Sequence, residues 1–128
     1  MNYYISKKVD YSFDDAIIRV TDELKEEGFG VLTEIDVKET LKKKLDVDFK
    51  KYRILGACNP GFAHQALQKE DKIGTMLPCN VIVEEHEDGS VEISAVDPLA
   101  SMQAVENDDL AAIATQVRDR LAKVINRV

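Results

Sequence analysis

Two short segments carry the residue types best able to do chemistry. Cys58-Asn59-Pro60 and Leu77-Pro78-Cys79-Asn80 each place a thiol directly before a carboxamide, and they hold the chain's two cysteines. The flanking pattern puts Cys58 at the end of a strand and Asn59-Pro60 at the start of a helix. There the partial positive charge of a helix end favours thiolate over thiol. Cys79 opens another strand after Pro78 and shares its face with Val81 and Val83, where a buried thiol serves as a small apolar filler. If the two strands are antiparallel neighbours, the end of one lies beside the start of the other and the thiols approach. The expected site binds a small ligand or a protein partner and is built from Cys58, Asn59, Pro60, Pro78, Cys79 and Asn80. A strand-end crevice beside a helix N-terminus suits a small molecule, an anion in particular. The alternative, from a different class, is a thiol-based redox or sulfur-transfer protein with Cys58 reactive and Cys79 resolving.

Other chemistries are less well supported. Cys58, His64, Cys79 and His86 supply four donors, but their spacing matches no paired zinc knuckle, and His86 falls on the strand face opposite Cys79. No metal site and no cofactor are expected. His64 lies one to two turns into its helix, with no third group to orient it as a base for Cys58. Glu84, Glu85, Glu87, Asp88 and Glu92 crowd a hairpin tip and read as a solvated, edge-protecting face. Lys42, Lys43, Lys44, Lys50, Lys51 and Arg53 read as a solvated basic face. Gly28-Phe29-Gly30 lacks a third glycine and precedes a strand, so it is no dinucleotide fingerprint. Phosphate-loop, nucleophile-elbow and paired metalloprotease motifs are absent. No catalytic constellation is recognisable, and enzyme status stays open.

The elements that must position these residues alternate along the chain. Tyr3–Val9 reads as a strand. Ser12 caps a helix carrying Phe13, Ile17, Val20 and Leu24, which Gly28 stops. Phe29–Ile35 is a second strand. Asp36 and Glu39 resemble a capping box for a helix with Leu41 and Leu45. Tyr52–Cys58 is apolar on both faces, as a central strand should be, and Asn59-Pro60 supplies the cap and first residue of the next helix. In the hairpin that follows, a two-residue turn would put the apolar sets of its arms on opposite faces. A three-residue loop, Glu87-Asp88-Gly89 with Gly89 left-handed, pairs Val83 with Ile93 and Val81 with Ala95 and keeps them together. Asp97-Pro98 closes the sheet before a short helix from Leu99 to Val105. Leu110, Ala114, Val117, Leu121, Val124 and Val128 then form the stripe of a C-terminal amphipathic helix. Such a stripe packs by default on its own sheet; the sharper reading is a dimer seam.

The expected architecture is α+β: a single two-layer domain over residues 1–128, with a mixed sheet of about five strands and helices packed on it. The chain has 128 residues, enough for one core and too few for two. Its 17 basic and 24 acidic side chains leave a net charge of −7, which repels nucleic acid and anionic lipid at long range. No apolar run approaches the roughly 20 residues needed to span a bilayer. Two cysteines make no disulfide framework and suit a reducing, cytoplasmic setting. Neither nucleic acid nor membrane is an expected partner.

Several blocks together resemble a known family. Glu27-Gly28-Phe29-Gly30-Val31, Tyr52-Arg53-Ile54-Leu55-Gly56-Ala57-Cys58-Asn59-Pro60, Leu77-Pro78-Cys79-Asn80-Val81 and Val96-Asp97-Pro98 are similar, in order and spacing, to the signature blocks of the domain of unknown function 302 family. The resemblance runs from about Val9 to Leu121. It implies a small prokaryotic α+β domain with a mixed sheet packed by helices, often assembling as a homodimer. It marks Cys58, Asn59, Pro60, Pro78, Cys79 and Asn80 as the signature positions. It implies no activity.

Overall fold

The structure, a computed structural model, describes residues 2–128. Five strands form one sheet in the order β1-β5-β4-β3-β2. They are β1 (Tyr4–Val9), β2 (Gly30–Asp36), β3 (Tyr52–Cys58), β4 (Cys79–Glu85) and β5 (Val91–Val96). The helices are α1 (Phe13–Glu26), α2 (Val37–Leu45), α3 (Pro60–Lys69), α4 (Pro98–Ser101) and α5 (Asp109–Arg127), with a 3-10 segment over Asp71–Met76. The α+β class is as expected. The sheet differs in one respect: all four strand pairings are antiparallel, so it is not mixed. A helix between two strands suggests a parallel crossover. Here α2 and α3 each return the chain beside the strand it has just left, which reverses its direction.

Local signals set the element ends. The Asp15 amide donates to Ser12 Oγ (3.1 Å), capping α1. At its other end Gly28 adopts φ +85°, Gly28 N–H bonds the Lys25 carbonyl and Phe29 N–H bonds the Leu24 carbonyl, a Schellman ending. Asp36 caps α2 through the Glu39 amide (3.0 Å). The Glu39 carboxylate turns to Lys43 (2.8 Å) instead of completing a box. The β4–β5 turn has the expected register, with Val83 opposite Ile93 and Val81 opposite Ala95. His86 and Ser90 close a three-residue loop, and Gly89 is at φ +85°. A one-residue slip would have turned one arm's apolar face to water.

The core lies between one face of the sheet and the pair α1 and α5. Leu55, Val81, Val83, Ile93 and Ala95 point into it from the strands, and Val20, Leu24, Leu121 and Val124 meet them from the helices. Each buried valine, leucine or isoleucine among them contributes roughly 1.5–3 kcal/mol by leaving water, and Ala95 less. The whole stripe Leu110, Ala114, Val117, Leu121, Val124 and Val128 is buried within the chain, so it packs on the domain itself and offers no dimer seam. Lys7 Nζ reaches the terminal carbonyls of α5 at Asn126 (3.0 Å) and Val128 (2.9 Å), fixing the helix to β1. A second, smaller apolar cluster of Ala66, Ile73 and Leu110 ties α3 and the 3-10 segment to α5. The opposite sheet face, with Tyr4, Tyr52, Ile54, Asn80 and Ile82, lies outside this helical layer. Among the described residues, no helix is long and apolar enough to cross a membrane.

Candidate functional site

The antiparallel pairing of β3 and β4 brings the two thiol segments together, with Ala57 opposite Cys79. Above these strand ends, α3, the 3-10 segment and α5 enclose a cavity of about 390 Å³. Cys58, Asn59, Pro78 and Cys79 line it, and Phe29, Phe62, Leu77 and Ile113 supply apolar wall. No lysine, arginine, aspartate or glutamate contributes to the lining. Leu32 and Leu67 are lining residues that also stand 69% and 45% exposed, which marks the mouth. Leu32 reaches that position because β2 carries an extra residue between Val31 and Thr33, a bulge that re-aims the side chain.

Of the six residues singled out in the sequence, four meet at this cavity. Pro60 occupies the first turn of α3, where its missing N–H costs nothing, and is not among the lining residues. Asn80 follows Cys79 on β4 and so projects from the other side of the sheet, into a groove with Tyr3, Tyr4 and Tyr52. Asn59 sits at the N-cap position of α3, yet its side chain makes no capping bond. Its amide donates instead to the Glu27 carbonyl (3.3 Å), 32 residues away in sequence. His64 is exposed on α3 and does not line the cavity.

The thiols differ in setting. Both are free; Cys79 is buried and Cys58 partly so. Burial, with a smaller contribution from nearby Cys58, pushes the Cys79 thiol up to about 11 from an ordinary value of 9.0. At neutral pH Cys79 is therefore the neutral thiol and not the thiolate that resolves a disulfide or attacks an electrophile.

A polar frame holds the cavity's walls. Glue between α1, α3 and α5 comes from Glu27, which is 8% exposed: its carbonyl accepts from Asn59 and from Arg120 Nη1 (3.3 Å), and its carboxylate from Arg127 Nη1 (2.9 Å). Asp97 accepts from the Leu99 amide (3.0 Å) and from Arg118 Nε (3.1 Å), joining the end of β5 to α4 and α5. Gly56 is the third member. A Cβ there would collide with Thr33 Oγ1 and lie 2.8 Å from Pro78 Cγ, so only glycine lets β2 and Pro78 close over β3. Glu27, Gly56 and Asp97 all lie in the signature blocks, and each holds structure. The apolar walls from α3 and α5 were missed in sequence, because their residues read as ordinary helix stripes.

Comparisons with known proteins identify the fold and the family. A search of curated proteins finds no match. A crystal structure of an uncharacterized conserved DUF302 protein from Bacillus stearothermophilus superposes with a TM-score of 0.93 at 30% identity, covering 99% of this chain and 98% of that one. The sequence model described as "Domain of unknown function DUF302" matches residues 5–128. On that match, which spans nearly the whole chain, the protein belongs to the DUF302 family.

Proposed function

We propose that this protein is a binding module for a small, predominantly apolar molecule held in the strand-end cavity beside Cys58. The observation that carries the reading is the cavity itself: about 390 Å³, walled by aliphatic and aromatic side chains, with Asn59, Thr33 and Cys58 as a few polar groups. Small-molecule sites have this size and this mixture of apolar wall and sparse polar anchors. An uncharged lining favours a neutral ligand, or the apolar part of an amphiphile, over the anion that the helix end suggests. The ligand's single polar group would sit by Asn59 and Cys58, and its apolar body against Phe62 and Ile113.

The thiol-redox alternative has less support. A resolving cysteine must ionise, and Cys79 is held as the neutral thiol by its burial. Titration with an environment-sensitive apolar fluorophore tests the binding reading. One saturable site per chain is expected, displaced by medium-chain alcohols, and lost in Ala63→Phe, which fills the cavity. Binding that survives Ala63→Phe in a folded protein would place the probe elsewhere and remove the proposal.

A further inference from the structure

On the sheet face opposite the cavity, the β4–β5 hairpin assembles a second group of side chains. Glu84 and Glu92 are directly opposed partners on β4 and β5. Two carboxylates in that relation repel each other, so the pairing needs a cation nearby to be tolerated. His86, just beyond β4, turns its Nε2 to within 2.8 Å of Glu92 Oε1. One donor atom from each of Glu84, His86 and Glu92 lies within 4.8 Å of the others. None is a free surface group: the three side chains are 15%, 29% and 22% exposed. Lys50 Nζ occupies the cationic position, 2.7 Å from Glu84 Oε1 and over the Tyr52 ring at 5.9 Å. Glu84 and Glu92 also line a groove of about 450 Å³ with Tyr3, Tyr4, Tyr52 and Asn80.

We infer that Glu84, His86 and Glu92 form a site for a divalent first-row transition-metal ion, such as zinc or cobalt, which takes over the charge-neutralising place of the Lys50 ammonium. One imidazole nitrogen and two carboxylates are a donor set for such ions. Donors about 2.1 Å from a common metal stand roughly 3–4 Å apart, so the observed cluster closes on an ion by side-chain adjustment alone. Three protein ligands leave further coordination positions for water or a ligand, and the groove provides the space for them. The site shares no residue with the apolar cavity and does not depend on it. The strand alternation that puts His86 opposite Cys79 places it with Glu84 and Glu92.

Calorimetric titration of the chelator-treated protein with Zn²⁺ tests this, with Co²⁺ absorption identifying the donors. One site per chain is expected, and the Co²⁺ spectrum should lack the near-ultraviolet charge-transfer band of thiolate ligation. His86→Ala should weaken binding at least tenfold, as should Glu92→Gln. Lys50→Met removes the competing ammonium and should tighten binding several-fold, an effect in the opposite direction that a merely destabilised hairpin would not produce. Glu34→Gln, on a distant strand, should change nothing. No saturable uptake by either the wild type or Lys50→Met, a thiolate band, or affinity unchanged in His86→Ala would overturn the assignment.

Discussion

The two faces of the sheet are made by the same strands and differ in almost every physical respect. On β3 Leu55 is 1% exposed under the helices, while its neighbour Ile54 is only half-buried on the other side. On β4 Cys79 lines an apolar cavity and Asn80, one residue on, faces a groove of tyrosines and glutamates. A period of two residues therefore separates an apolar compartment from a charged one across the thickness of a single strand layer. One short polypeptide presents two chemically unrelated surfaces, and Cys79-Asn80 is a point where successive side chains fall on opposite ones, whereas Cys58 and Asn59 both line the cavity.

That contrast can be broken by mutation. Leu55→Ala should cost about 2–5 kcal/mol in urea unfolding, because it empties volume between strands and helices. Ile54→Ala should cost about 1 kcal/mol or less, since water already reaches that side chain. Equal costs would mean that the open face is covered in solution. The buried thiol provides a pH-dependent version of the same test. In the folded chain Cys79 ionises near 11, against 9.0 for an unperturbed thiol. Its contribution is fully present below about pH 9 and is lost as pH rises toward 11, amounting to about 2–3 kcal/mol. In Cys79→Ala that part of the alkaline decline should vanish from denaturation curves recorded between those pH values.

Gly56→Ala probes the seam between the faces. The added methyl meets Thr33 and Pro78, and a loss of about 1–3 kcal/mol is expected from the forced displacement. Combining it with Thr33→Ser, which leaves the hydroxyl in place, should give little relief; Thr33→Ala should give more. The smallest effect belongs to the exposed hairpin tip. Asp88 is held below the ordinary carboxylate range by the Ser90 hydroxyl and amide. Its contribution is present above the ordinary carboxylate range and is lost as pH falls through the lowered one. Asp88→Ala should thus lower the melting temperature slightly at neutral pH and not at all in strong acid.

Much of this arrangement was legible in the sequence wherever a local rule had one outcome. Ser12, Gly28 and the Glu87-Asp88-Gly89 loop each permit a single geometry, and the hairpin register follows from keeping Val81, Val83, Ile93 and Ala95 on one face. What stayed hidden was set by partners far along the chain. Asn59 has the chemistry of a helix cap, but Glu27 sits close enough to take its amide. The direction of β3 relative to β4 depends on where α3 docks against α5, which no window of residues reveals. The cavity walls share that origin. Adjacency in sequence suggests one cluster for Cys79 and Asn80, whereas strand alternation assigns them to opposite faces.

In the proposed function the helix-covered face takes the apolar ligand and the open face does not. Methyl-resolved NMR during titration with a medium-chain alcohol tests it most directly. Saturable shifts are expected for the methyls of Leu32, Leu67, Leu77 and Ile113, which line the cavity, with Ile54 and Ile82 on the open face unmoved. Shifts confined to Ile54 and Ile82, or none at any of the six, would contradict it.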